Sequence, residues 1–179
     1  MSTPAVAPRG GAEGLAGART APNPGEAGNV TTDERRFEGF LAEFEPSIAD
    51  LGRAAVARLR KEIPSADVMV YDNYNFLVSG FSPNERPSDA VLSIVMGTKG
   101  VALCFLQGAT LPDPHGILRG SGKLVRNVRV KDIGDFDRPE VAMLLNLALD
   151  NARVPFDPRR TGRFYIRSIS AKKRPRRKQ

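Results

Sequence analysis

The chain has 179 residues, of which 41% are hydrophobic and 26% charged, and its formal net charge is +7. That length suits one domain with tails, and no apolar run approaches what a bilayer crossing needs. A single Cys and a single His exclude a disulfide framework and a zinc site built only from those residue types.

The charge is unevenly placed. Residues 172–179 (KKRPRRKQ) carry six Lys/Arg and no acid, while residues 31–171 are nearly balanced. The basic excess therefore belongs to the end of the chain. A fold that wraps nucleic acid would carry it on the body.

Residues 1–30 hold seven Ala, six Gly and four Pro, too little apolar bulk to offset the entropy of ordering, so a disordered tail is expected. The stretch lacks the basic start and sustained apolar region of a signal peptide. A cytoplasmic protein is expected. Order should begin near Thr32. Phe37, Phe40, Leu41 and Phe44 recur at helical spacing, with Thr31 or Thr32 as cap and Asp33 and Glu34 at the positive end of the dipole. Pro46 should end this helix. A second helix is predicted over 48–62, with Ser47 and Asp50 as a capping pair and Ile48, Leu51, Ala55, Val56 and Leu59 as its stripe. Pro64 stops it.

The next segment, ADVMVYDNYNFLVSGF, reads as a short helix over 66–71 and a strand over 75–81. AVLSIVMG (90–97) and VALCFLQ (101–107) are the clearest strands. Thr98-Lys99-Gly100 turns between them, and Gly100 accepts positive φ cheaply. Their continuous apolar character calls for burial on both faces or a cover of helices. Residues 108–123 form a Gly/Pro-rich connector. VRNVRV (125–130) resumes as a strand. A helix is expected to open at Asp137-Arg138-Pro139-Glu140, with Asp137 as cap and Val141, Leu144, Leu145 and Ala148 buried. RFYIRSI (163–169) makes a last short strand. The whole describes an α+β fold: a small antiparallel sheet backed by two N-terminal helices and one C-terminal helix. The domain spans 32–170, and a basic tail covers 171–179.

Candidate chemistry is sparse. Cys104 lies mid-strand with no nearby base and reads as a core residue. His115 sits in a loop and reads as exposed. The run GILRGSGK (116–123) fails the phosphate-loop pattern, because five residues separate Gly116 from Gly122 and Leu124 follows Lys123. Gly120-Ser121-Gly122-Lys123 still offers backbone donors beside a cation, with Arg126 close by, which suits an anion. Asp113 suits an Asx-type turn that fixes the loop. The carboxylates of the first helix, Glu34 and Glu38 among them, could ligate a hard cation through oxygen. Lys172, Lys173, Arg174, Arg176, Arg177 and Lys178 suit nucleic-acid phosphates, but no aromatic is interleaved for base stacking.

The run Gly108 to Arg126, with Leu111-Pro112-Asp113-Pro114, Gly116, Leu118, Gly120, Gly122 and Lys123, resembles the signature of the YdhG-like domain family, a bacterial domain of unknown function. The ending Ile166-Arg167-Ser168-Ile169-Ser170-Ala171-Lys172-Lys173-Arg174-Pro175-Arg176-Arg177 also looks like one branch of it. The resemblance implies a small α+β domain, and frataxin-like iron handling as described for one member. This chain departs from the family at Tyr71-Asp72-Asn73-Tyr74-Asn75-Phe76, where many members have a Tyr-Gly-x-Pro-like stretch.

The leading expectation is a non-enzymatic binding or adaptor module without a cofactor. It engages an acidic ligand or partner through Asp113, Lys123 and Arg126 of the 111–126 loop. The alternatives are an iron-binding chaperone using Glu34 and Glu38, and a nucleic-acid-associated protein acting through the basic tail.

Overall fold

The computed structural model describes residues 30–177. The disordered tail expected over 1–30 lies, but for Val30, outside the described residues, and so does Lys178. Three helices and six strands follow one another as α1 (Thr32–Leu41), α2 (Pro46–Glu62), β1 (Asp67–Asp72), β2 (Leu77–Ser82), β3 (Leu92–Gly97), β4 (Gly100–Phe105), β5 (Arg126–Val130), α3 (Pro139–Asp150) and β6 (Phe164–Ile169). The class is α+β, with one open sheet in the order β5-β4-β3-β2-β1-β6.

The sheet is mixed rather than antiparallel. β1 to β5 form an antiparallel meander, but β6 returns beyond α3 and lies parallel to β1. The crossover that separates β5 from β6 allows that direction, which a tight hairpin does not.

α1 begins as its sequence dictates. Thr31 Oγ1 accepts from Glu34 N at 3.2 Å while the Glu34 carboxylate accepts from Thr31 N at 2.9 Å, a reciprocal capping box. The helix ends at Leu41, and Pro46 opens α2 instead of closing α1. Proline at the first helical position loses nothing, because that N–H has no intrahelical partner. Ser47 and Asp50 form no cap; Asp50 pairs with Arg53 at 2.7 Å. Asp137 likewise leaves the cap of α3 to Arg138 and reaches Arg58 at 2.8 Å.

The helix expected at 66–71 is strand β1. Val68 and Val70 stand two residues apart and both reach the core, and the segment pairs with β2 on one side and β6 on the other. Ladder bonds to two neighbours override a weak local preference. Between β1 and β2, Asn73 N donates to Phe76 O at 2.9 Å and closes the turn.

Side chains of paired strands alternate between the two faces. One face carries Val68, Val70, Leu77, Phe81, Leu92, Ile94, Met96, Val101, Leu103, Phe105, Val128 and Val130, all buried with the apolar stripes of the helices. Each large apolar side chain fully withdrawn there contributes roughly 2 kcal/mol. α2 lies against β3 and β4, and α1 against β6. Phe37 meets Phe164 edge-on at 5.4 Å between centroids. The cover of helices expected for β3 and β4 is thus present on one face. On the other, Val78, Val95, Ala102 and Cys104 are only partly buried.

Candidate anion-binding corner

The connector that attracted attention in the sequence is held by its own side chains. Asp113 accepts from Ile117 N at 3.0 Å and from Leu118 N at 2.9 Å. Arg126 donates to Gly122 O at 2.6 Å and to Val125 O at 2.9 Å. Gly116 and Gly120 adopt φ of 61° and 119°, which only glycine takes without strain. Residue 119 bridges to 127, so the connector forms an outer margin beside β5. Of the three residues expected to meet a ligand, Asp113 and Arg126 are engaged in fixing the loop, and Lys123 is exposed.

The helix-one carboxylates face arginines. Glu34 pairs with Arg60 and Glu38 with Arg53, each at 2.8 Å. The Thr31 backbone N–H, and then the Arg60 guanidinium, hold the Glu34 carboxyl below its ordinary range. Among the described residues, no group of three or more His, Cys, Asp or Glu is placed to hold a metal.

The C-terminal segment folds back on the body. Lys173 reaches Glu43 and, at 3.0 Å, Asp72. Burial works against its charge, but these two carboxylates outweigh it and raise its pKa. Arg176 is buried against Asp72 and Glu43. Arg177 donates to the carbonyls of Phe44 and Ala42 at 2.8 and 2.6 Å. Three cations of the tail are therefore tied to the fold. Lys172 and Arg174 are exposed, and no described carboxylate pairs with either.

This docking builds a site the sequence did not disclose. Arg174 N donates to Tyr74 O of the β1–β2 turn at 2.9 Å, and this C-terminal strap lines common recesses with Thr98 and Lys99 of the β3–β4 turn. Gly100 turns that hairpin at φ 126°. Arg129, on the exposed face of β5, donates to Lys99 O. Lys99, Arg129, Arg174 and Arg177, with Thr98 and Pro175, line a shallow recess of about 620 Å³. It contains no carboxylate, and two of its guanidinium groups are bonded only to neutral carbonyls, so their charge is uncompensated.

A second recess of about 390 Å³ adjoins the first and shares Thr98, Lys99 and Arg174 with it. Its walls include Phe76, Val95, Gly97, Ala102 and Asn75. The Phe76 ring lies over Gly97, where an added Cβ would come within 2.9 Å of it. Its other side is open, and Phe76 is 47% exposed. Apolar floor, aromatic wall, amide and cationic rim thus meet at one corner. Such a surface suits an anion that carries a flat ring.

Neither lone reactive residue takes part. Burial pushes the Cys104 thiol up to about 11, against a hydrogen bond with Ser93, and a thiol so placed is a poor nucleophile. His115 is exposed in the connector.

No family model matches the chain, and no curated protein or solved structure is similar to it. None of these comparisons supports the resemblance to the YdhG-like domains.

The signal for part of this corner was present in VRNVRV. Val128 and Val130 go to the core, so Arg129 must go to the other face. The convergence of Lys99 and Arg174 on Arg129 depends on where the strap docks, and no spacing rule encodes that.

Proposed function

We propose that this protein is a non-enzymatic binding module for an anionic ligand that carries a planar ring, held at the corner where the β3–β4 turn, β5 and the C-terminal strap meet. The supporting observation is the carboxylate-free recess of Lys99, Arg129, Arg174 and Arg177, joined to the apolar recess walled by Phe76. The acidic ligand expected at the connector moves to this corner because Asp113 and Arg126 already fix the loop. The nucleic-acid alternative survives in altered form: of the described tail cations, Lys172 and Arg174 remain exposed without a carboxylate partner, rather than the whole basic run. Iron handling gains nothing from Glu34 and Glu38, which face arginines.

Isothermal titration of the full chain with a ring-bearing polyphosphate such as a nucleoside triphosphate tests this reading. Arg129→Ala with Arg174→Ala should weaken binding by about a hundredfold or more, since each charge-assisted bond contributes about 1.5–3 kcal/mol. Inorganic phosphate should bind more weakly, lacking the ring. Saturable binding that ignores both substitutions would refute the assignment.

A further inference from the structure

The sheet face that no helix covers reads as a track. In register across all six strands stand Arg129, Ala102, Val95, Val78, Tyr71 and Ser168. The adjacent row holds Asn127, Cys104, Ser93, Gly80, Met69 and Tyr165, of which Ser93, Gly80 and Met69 are buried beneath their neighbours. Side chains in the middle strands are small, so the relief is low. Strands lie about 4.8 Å apart, and the row from Arg129 to Ser168 therefore extends roughly 24 Å. Cations stand at both margins: Lys99, Arg129 and Arg174 at the corner, and Arg167 on β6. Arg167 lies in the stretch where the β1–β6 register shifts, and its charge works against the burial that raises the Tyr71 pKa. No described carboxylate pairs with it. Asp67 and Glu85, the acids of the β6 margin, are both occupied by Arg163.

We propose that this open face carries a single strand of nucleic acid, with phosphates at the cationic margins and bases on Phe76, the small-residue floor and Tyr71. The inference rests on the corner as the site of the first phosphate and extends it across the sheet. Charge complementarity selects the occupant. A second copy placed face to face would set positive margin against positive margin, which disfavours self-association. Apolar floor and aromatics are of no use to a duplex, whose bases are stacked inside, but suit unpaired bases.

Fluorescence anisotropy of the full chain tests this, with labelled oligothymidine and oligouridine lengthened stepwise from the dinucleotide to the decanucleotide, and a duplex of the same length. Affinity should rise with length and then level off once the track is filled. It should be weaker for the duplex. Arg167→Glu and Val78→Glu, each checked by circular dichroism to be folded, should lower affinity for the decanucleotide about tenfold and leave the dinucleotide unchanged. Arg129→Ala should lower both and reduce the salt slope by about 0.7. If the decanucleotide ignores Arg167→Glu and Val78→Glu while Arg129→Ala still weakens every probe, the track is wrong and the corner stands. Equal affinity for single strand and duplex also overturns the track. Failure of every oligomer to bind removes the track outright; nucleoside triphosphate binding then decides separately whether the corner survives.

Discussion

Arg176 is packed against Asp72 with both side chains out of solvent, 1% and 0% exposed. The same guanidinium donates to Asn73 O at 2.9 Å and lies 4.8 Å from the centre of the Phe44 ring. This pair staples the strap that carries Arg174 to the β1–β2 turn and to the α1–α2 junction. Removing one partner of a buried pair leaves the other charge stranded, and the usual cost is about 3–5 kcal/mol. Lys173 still neutralises part of Asp72 at 3.0 Å, so Arg176→Ala should destabilise by about 3 kcal/mol in urea unfolding. The double variant Asp72→Leu, Arg176→Met should recover part of that loss, because no lone charge remains. Ligand affinity at the corner should fall in both, since Arg174 loses its anchor.

A second constraint sits where β6 enters the sheet. Gly162 N donates to Pro64 O at 2.8 Å, and a Cβ on Gly162 would stand 1.8 Å from the Ala66 carbonyl oxygen. Backbone cannot yield as a side-chain tip can. Gly162→Ala should therefore cost about 3 kcal/mol, at the upper end of overpacking effects, and loosen β6 first. Hydrogen exchange would show this as faster exchange at Val68 N, which donates to Arg163 O at 2.7 Å, ahead of the β3–β4 amides.

These two contacts mark the boundary of what the sequence discloses. Periodicity found α1, α2, α3, β2, β3, β4, β5 and β6, the helices from apolar stripes at helical spacing and the strands from short runs of apolar and β-branched residues. It misread 66–71, where Asp67 and Asp72 at the ends of β1 are buried polar groups whose partners, Arg160, Arg163, Lys173 and Arg176, lie about a hundred residues away. A buried carboxylate reads as solvent-facing until its arginine is located. The same blindness made the basic tail look free. Lys173 and Arg176 meet the acids that balance them only through the fold, and the cations left over define the corner.

Asp67 gives the fold a dependence on acid. It is wholly buried, accepts from Arg163 N at 2.8 Å and pairs with Arg160 at 2.6 Å. Burial opposes its charge, but Arg160 and the Arg163 backbone N–H outweigh that and hold its pKa below the ordinary value. A lowered native pKa means that the ionised form contributes stability in full above the unfolded value of about 3.9. That contribution fades as pH drops through the native pKa. Urea midpoints should thus be flat near neutrality and fall below about pH 4. Asp67→Asn should be less stable at pH 7 and show a shallower acid decline. An unchanged decline in Asp67→Asn would show that other carboxylates govern it.

Cys104 offers a reporter on the open face. Its side chain stands between Ser93 and Asn127 across the neighbouring strands. With the thiol pushed up to about 11 by burial, alkylation by iodoacetamide at pH 8 should run about a hundredfold slower than that of a free cysteine, because only the thiolate attacks. The rate should climb about tenfold per pH unit toward that value. Cys104→Ser should leave the corner's ligand affinity intact, since the thiol points to the floor of the track and not to the recess of Lys99 and Arg129. A saturating oligonucleotide should slow the alkylation further by covering that floor, whereas a nucleoside triphosphate held only at the corner should not. A thiol that reacts at pH 8 as fast as free cysteine would contradict its burial between the strands.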